Sequence, residues 1–412
     1  MNNRNSKPAN SFSIVCLLVI MTVSSAGVFA QPNYNEILGQ DKLNAVTTSV
    51  PFLLIAPDAR GGALGDAGVA MTPDVSSMHY NPARYAFAEN EFGVATSYSP
   101  WLRGLVNDIS LAYISAYKRL GDDQTIAASL RYFSLGDIIF TDRVGEVIGQ
   151  FKPNEFAIDI AYARKFSDNI SGAVTARYIN SNLTGGIFVN GAQSKVGQSV
   201  AADVSFFYTK EVEYGETPGM FSFGANISNI GNKISYTENL DKDFIPINLK
   251  FGPAFTFNFD QYNSVTVLLD INKLLVPTPP VYARDSLGRP IIDNDGNYEI
   301  AEGKDPERGV VSGMFGSFSD APGGFEEEIK EFNYSLGIEY WYDKQFAIRG
   351  GFFYEHPHKG NRKYVTLGAG FRLNVFGLDF AYLIPLEQRH PLENTLRFTL
   401  TFNFEAFKEL GN

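Results

Sequence analysis

The chain has 412 residues, of which 19 % are charged and 44 % hydrophobic, with 34 Phe and 21 Tyr. This composition is too apolar and too aromatic for a disordered chain. The formal charge of -11 argues against a nucleic-acid partner, because such binding depends on neutralising phosphates with Lys and Arg. A single cysteine excludes a disulfide framework and any metal cluster built from cysteines.

The N-terminus has the pattern of a secretory signal peptide. Two basic residues precede an apolar run over residues 12–21, which is followed by small residues up to Ala30. The run is too short to cross a bilayer comfortably as a helix. The sequence therefore predicts a cleaved signal peptide over residues 1–30, with Gln31 as the first residue of an exported chain.

From residue 91 onward, apolar and polar residues alternate with a period of two over lengths of about ten residues. In the segment 156–164, for example, Phe156, Ile158 and Ile160 share one face. This is the pattern and the length of a tilted strand that crosses a membrane. Fourteen such strands are predicted, near residues 91–98, 106–119, 124–135, 154–165, 170–181, 198–211, 219–230, 247–259, 263–275, 332–342, 345–356, 363–373, 376–385 and 393–405.

The connections between these segments alternate between tight turns and longer loops, at 136–153, 182–197, 231–246 and 276–331. Short periplasmic turns and long outer loops are typical of bacterial outer-membrane barrels. A secreted β-sandwich or propeller is the alternative, but its solvated face would carry dense charge, whereas here the polar face is mostly small residues. The sequence thus predicts an all-β protein, a 14-stranded antiparallel transmembrane β-barrel over residues 91–412, in the outer membrane.

Charged residues of both signs lie on the polar faces and are predicted to point into the lumen: Arg131, Asp159, Arg177, Asp203, Lys250, Asp270, Glu339, Arg349, Arg372 and Asp379. Residues 31–90 precede the first strand and contain a small, charged stretch that includes Asp58, Arg60 and Asp66. A disordered periplasmic tail is one interpretation. The apolar residues at 50–55 argue against it, so we expect an N-terminal plug over residues 31–90 that pairs with the lumen charges.

The loop 276–331 is much longer than the connections of ordinary domains, and such loops are usually functional or disordered. Its second half contains Phe315, Phe318, Phe325 and Ile329, and the spacing of Phe325, Ile329 and Phe332 predicts a short helix with one apolar stripe. These side chains either pack as a lid or form a docking surface. We expect a docking surface on the extracellular side, because exposed aromatic residues on an outer loop mark partner contacts.

No catalytic constellation is recognisable. The sequence has no Gly-x-Ser-x-Gly motif, and its four histidines are scattered. The segment 293–299 lacks the ligand spacing of a calcium loop, and His356 and His358 fit a polar loop tip better than a metal site. We therefore expect no catalytic residue, no metal site and no cofactor.

Several motifs resemble known families. The segment 61–70, together with His79-Tyr80-Asn81-Pro82-Ala83, resembles the N-terminal signature of the FadL-like barrels, in which Tyr80 would be Trp. FadL-like proteins are fourteen-stranded and plugged, so the resemblance adds Asn81 and Pro82 to the expected plug residues. More specific blocks resemble the PorV (LptO) family of the type IX secretion system of Bacteroidota: residues 50–60, 270–279, 316–325 and 356–364.

The resemblance to the PorV family implies a carrier and no enzymatic activity. Its members receive cargo by the C-terminal signal domain as the cargo leaves the translocon barrel SprA (Sov), and deliver it to the sortase-like PorU complex. A FadL-type channel for hydrophobic small molecules is the alternative, and Gly252-Pro253 supports it because proline interrupts a strand ladder. An enzyme acting on lipopolysaccharide acyl chains would need a nucleophile and a base that the sequence does not supply.

Overall fold

The computed structural model describes residues 44–102, 106, 108–141, 144, 146–186, 188–189, 192–237, 242–293, 296–373, 375–387 and 390–404. The expected signal peptide, residues 1–30, lies outside the described residues. So do residues 31–43, the first part of the expected plug.

Within the described residues, fourteen antiparallel strands close into one barrel in chain order, and the last strand pairs back with the first. The strands are β1 Phe92–Pro100, β2 Ile109–Arg119, β3 Gln124–Leu135, β4 Asn154–Lys165, β5 Ile170–Asn182, β6 Gly197–Tyr214, β7 Thr217–Gly231, β8 Asn248–Asn258, β9 Asn263–Leu274, β10 Asn333–Tyr342, β11 Phe346–Tyr354, β12 Lys363–Arg372, β13 Phe376–Pro385 and β14 Thr395–Asn403. Each corresponds to one predicted segment, so the predicted barrel and its strand number are confirmed.

The period-two pattern becomes an apolar outer face and a small, polar inner face. In β4, Ile158 and Ile160 are 45 % and 63 % exposed, whereas Ala157 and Asp159, which alternate with them, are buried. Successive side chains of a strand point to opposite faces, so every strand contributes to both surfaces. The apolar surface faces the lipid, where the closed ladder leaves no edge with unpaired backbone groups.

The loops contain small elements that the period-two pattern does not reveal. The described loop residues include three short strand pairs: Ile138–Thr141 with Val147–Phe151, Phe188–Val189 with Ala192–Gln193, and Val281–Tyr282 with Ile300–Glu302. The α-helices are α1 Ala59–Gly62, α2 Ser77–Tyr80, α3 Val310–Gly316 and α4 Phe325–Lys330, and 3-10 turns occupy Pro51–Leu54, Pro82–Phe87 and Pro357–Lys359.

None of the helices in the described part of the chain has the length and apolarity needed to span a bilayer.

The Gly252-Pro253 pair interrupts the ladder between β8 and β9 without separating the strands. Pairing runs to Phe251↔Ile271 and resumes in the same register at Ala254↔Leu268. On its other side, β8 pairs continuously with β7 through both residues. A Cβ added at Gly252 would lie 1.8 Å from the carbonyl oxygen of Leu269, so the two strands approach closely at this point. The barrel wall is therefore closed here.

Seven of the ten predicted inward charges form ion pairs inside the barrel, and the other three, Arg131, Lys250 and Asp270, make hydrogen bonds to backbone groups. Eight of the ten are buried, and Lys250 and Arg372 are partly buried. Arg349 is fully buried and contacts the carboxylates of Glu339 at 2.6 Å and Asp379 at 2.8 Å. Each carboxylate has a second basic partner, Arg60 for Glu339 and Arg372 for Asp379, so Arg349 joins them into one buried network in which every charge is paired.

We expect Arg349→Met to destabilise the barrel strongly, because removing one partner of a buried ion pair costs about 3–5 kcal/mol. The measurement is the temperature at which the detergent-solubilised protein loses its compact gel mobility in SDS. Ile348→Val is the matched control, since Ile348 is the adjacent residue on the lipid side and is 66 % exposed. Equal transition temperatures for the two variants would contradict the role of Arg349.

Candidate docking site on the long loop, and the segment inside the barrel

Residues 44–90, the inner segment, run among the inward-facing side chains. Helix α1 begins after Asp58, whose carboxylate accepts a hydrogen bond from the backbone N–H of Gly61 at 3.0 Å. This cap positions Arg60, which donates to both oxygens of Glu339 on β10, at 2.9 and 2.7 Å. Arg60 also pairs with Asp74 within the inner segment at 2.9 Å. A bidentate contact of this kind fixes orientation as well as distance.

A tight turn at Gly65 and Asp66 makes the second contact with the wall. Both residues have positive φ, and a Cβ at Gly65 would lie 2.6 Å from the carbonyl oxygen of Phe352, so only glycine fits there. The Asp66 carboxylate accepts hydrogen bonds from Tyr364 at 2.6 Å and from Arg397 at 2.9 Å. The turn therefore presents a carboxylate to strands β12 and β14.

The motif around Asn81 and Pro82 makes hydrogen bonds within the inner segment and to strand β6. The Asn81 side chain accepts from the N–H of Ala83 at 3.1 Å and so caps the 3-10 turn that begins at Pro82. Its amide donates to the carbonyls of Val69 and Phe206, both at 2.9 Å. The structure thus brings Asp58, Arg60, Asp66, Asn81 and Pro82 together inside the barrel. Whether the inner segment blocks the lumen stays a prediction.

If the inner segment obstructs the lumen, the intact protein in planar bilayers should show little or no steady conductance, because the wall charges are paired with the segment. A variant that lacks residues 31–90 should conduct. Compact gel mobility of the shortened protein in SDS is the control that the barrel has closed. A large, steady conductance of the intact protein would contradict the obstruction.

Two buried lysines from outside the long loop hold the inner face of its helix α4. The alternation of β9 places Lys273 on the outer side of the wall, where α4 covers it; its ammonium donates to Glu328 at 3.1 Å and to Glu331 at 2.5 Å. Lys359, in the turn between β11 and β12, donates to Glu327 at 2.6 Å and to Glu331 at 2.9 Å. We call these five residues the lysine clamp.

The lysine clamp turns the apolar stripe of α4 outward. Phe325 is 77 % exposed and Ile329 is 48 % exposed; Phe315 and Phe318, on and after α3, are 69 % and 45 % exposed. We call these four residues the aromatic patch. The predicted short helix is confirmed over Phe325–Lys330, but Phe332 lies beyond its end, with its ring 5.4 Å from the Lys273 ammonium.

Helix α3 and the lysine clamp could not be predicted from the sequence. Val310 and Met314 of α3 pack against Leu275 and Val276 at the rim of the barrel. The sequence contains one signal for the clamp. Lys273 is a charged residue on the otherwise apolar outer face of β9, and a charged residue in that position needs a partner. Its partners lie 55 and 58 residues away, which no local pattern encodes.

The loop is strongly acidic, with twelve acidic and five basic residues over 276–331. Burial raises the pKa of Asp320, which receives a hydrogen bond from the N–H of Thr278. Partial burial would also raise the pKa of Glu327, but the hydrogen bond and charge of Lys359 outweigh it and the net pKa is lowered. The ionised form of Glu327 therefore stabilises the folded loop.

Because its pKa is lowered in the folded protein, Glu327 should contribute stability above its ordinary pKa of 4.5, and that contribution should be lost as the pH falls below it. A spin label on a cysteine introduced at Glu326 should stay immobilised from pH 8 to about 5 and become mobile in acid. Glu327→Gln should raise the mobility at neutral pH and flatten this dependence. Identical pH profiles with and without Glu327 would contradict the contribution.

The fold and these sites define a class: an integral β-barrel of the outer membrane that carries an internal segment and a structured outer loop. The model of the family "Type IX secretion system protein PorV" matches residues 38–281, more than half of the chain. The chain belongs to the PorV family and is an outer-membrane component of type IX secretion. A search of curated protein sequences finds no match.

Three solved structures illustrate what this chain is similar to. The Pseudomonas putida toluene transporter TodX is 12 % identical with a TM-score of 0.47, and the match covers 88 % of this chain and 99 % of TodX. A Pseudomonas aeruginosa FadL homologue is 12 % identical with a TM-score of 0.44, covering 88 % and 99 %. BamA from Haemophilus ducreyi, lacking POTRA domains 1–3, is 11 % identical with a TM-score of 0.32, covering 76 % and 70 %.

Proposed function

We propose that this chain is a non-enzymatic shuttle of type IX secretion. It binds the C-terminal signal domain of cargo that leaves the translocon SprA (Sov) and delivers the cargo to the sortase-like PorU complex at the cell surface. Family membership supports the secretion context. The aromatic patch carries the proposal, because it offers apolar surface on a loop that the alternation of turns and loops assigns to the cell exterior.

The lysine clamp supports docking because it pre-orders the patch. The inner face of α4 is held by four ion-pair contacts to two lysines that are almost completely buried. A partner that binds this surface does not have to order the loop, so little conformational entropy is lost on binding. Phe318 contacts the clamp, because its ring lies 5.7 Å from the Lys273 ammonium. Phe315 and Phe325 are the most exposed of the four patch residues.

The test removes the two most exposed aromatic side chains. Burying each contributes about 1.5–3 kcal/mol, so Phe315→Ala with Phe325→Ala should weaken a complex by at least about a hundredfold. The barrel should stay inserted, because the lipid-facing strands are untouched. Pull-downs with the cargo C-terminal domain and with the translocon measure the loss separately, and cargo should remain unattached and unprocessed in cells.

The matched control is Leu287→Ala with Ile292→Ala, which removes two exposed apolar side chains, 74 % and 58 % exposed, from another part of the same loop. The control should keep partner binding and surface attachment. Unchanged binding to both partners in the Phe315/Phe325 variant would refute the assignment of the aromatic patch.

A FadL-type channel for hydrophobic small molecules is the second candidate. The ladder between β8 and β9 is interrupted at Gly252-Pro253, and a lateral channel would require the wall, which is closed there in this structure, to open at that point. A channel would move such a molecule through the purified barrel alone. Uptake of a fluorescent fatty acid into liposomes that contain only this protein would support the channel. Absence of uptake, together with recovery of cargo and translocon from native membranes, would support the shuttle.

A further inference from the structure

One strand extends beyond its neighbour at the turn end of the barrel. Strand β6 has 18 residues, but its pairing with β5 ends at Tyr208↔Ile170, where β5 begins. The remaining residues pair only with β7, from Thr209↔Ser222 to Tyr214↔Thr217. Residues 210–221 therefore form a two-stranded ribbon, and among the described residues its β6 edge has no neighbouring strand. Because the long loops lie at the opposite end, this ribbon is on the periplasmic side.

The register determines which backbone groups point to that open edge. In an antiparallel pair, residues alternate between exchanging hydrogen bonds with the partner strand and pointing their N–H and C=O away from it. Glu213 lies opposite Pro218, which has no N–H to donate. Glu213 is therefore a residue whose N–H and C=O point away from β7. Thr209 lies an even number of residues from Glu213 and points its backbone groups the same way. Its N–H donates to the carbonyl oxygen of Asn169 at 2.9 Å, and its C=O accepts from the Asn169 side-chain amide at 2.7 Å.

By the same parity, the N–H and C=O groups of Glu211 and Glu213 point to the open edge. Both residues are exposed, and their carboxylates share one face of the ribbon, with Glu216 at its tip. Lys210 is the single basic residue of the ribbon. The edge thus combines two pairs of unpaired backbone groups with two carboxylates on one face.

These charges select the occupant. A second copy of the chain adding edge to edge would place glutamates against glutamates, and like charges in opposed positions destabilise a strand pair. A strand with Lys or Arg at alternate positions would instead place cations opposite Glu211 and Glu213. Backbone pairing supplies affinity in strand addition, and the side chains supply specificity.

We propose that the β6 edge, Lys210 to Tyr214, is a strand-addition site for an extended basic segment of a periplasmic protein. The site lies at the opposite end of the barrel from the aromatic patch and does not depend on it. It would tether a periplasmic partner to the barrel while the outer loop remains accessible.

The test uses the full-length protein in detergent micelles and a fluorescein-labelled decapeptide of alternating Lys and Val. The peptide should bind, and an alternating Glu and Val peptide should bind at least tenfold more weakly. A third peptide has the same alternating Lys and Val sequence, with every second amide N-methylated along the edge that would pair. Its affinity should be at least tenfold lower, because it cannot donate hydrogen bonds to the C=O groups of Glu211 and Glu213.

Two protein variants complete the test. Glu211→Lys with Glu213→Lys should abolish binding of the basic peptide, while Asp122→Lys with Asp123→Lys, in an exposed turn at the same end of the barrel, should leave it unchanged. Compact gel mobility in SDS shows that both variants are folded. No binding of the basic peptide, equal binding of its N-methylated form, or equal loss in both variants would overturn the proposal.

Discussion

The pairing of charge inside the barrel is the interaction on which the rest of this structure depends. A closed barrel in a bilayer presents apolar residues to lipid, so the interior accommodates charged strand residues at the lowest cost. There the inner segment supplies the missing partners: Arg60 for Glu339, Asp66 for Arg397, and the backbone of Gly68 and Val69 for Asp270. The inner segment and the wall thus share part of the buried charge.

The same principle operates a second time at the outer rim. Lys273 lies on the side of the wall that is otherwise apolar, and the acidic inner face of α4 covers it. The charge that holds the helix down also keeps its apolar stripe facing outward. The position of the aromatic patch thus follows from electrostatics beneath it. The N-terminal end of the inner segment meets this arrangement, because the Asn44 side chain donates to Glu327 at 3.1 Å and to the carbonyl of Pro279 at 3.0 Å.

The strands and their inward charges were predictable from the sequence because each strand repeats a period of two, and this local signal is sufficient when every strand separates lipid from lumen. Helix α4 was predictable from the spacing of Phe325 and Ile329. The lysine clamp and helix α3 were not, since both depend on contacts between residues far apart in the chain. The short strand pairs in the loops were missed because two to five residues are too few to show a period.

The route of the inner segment has a consequence for how the barrel assembles. Asn44 lies at the long-loop end beside His358, whereas β1 begins at the turn end, so the segment runs the length of the barrel before the first strand starts. The barrel closes when β1 meets β14, two strands separated by about three hundred residues. A segment attached to β1 and enclosed by all fourteen strands enters most simply while that seam is still open. The inner segment would then occupy the lumen before β1 pairs with β14. The buried ion pairs would already be formed when this last strand pair closes the barrel.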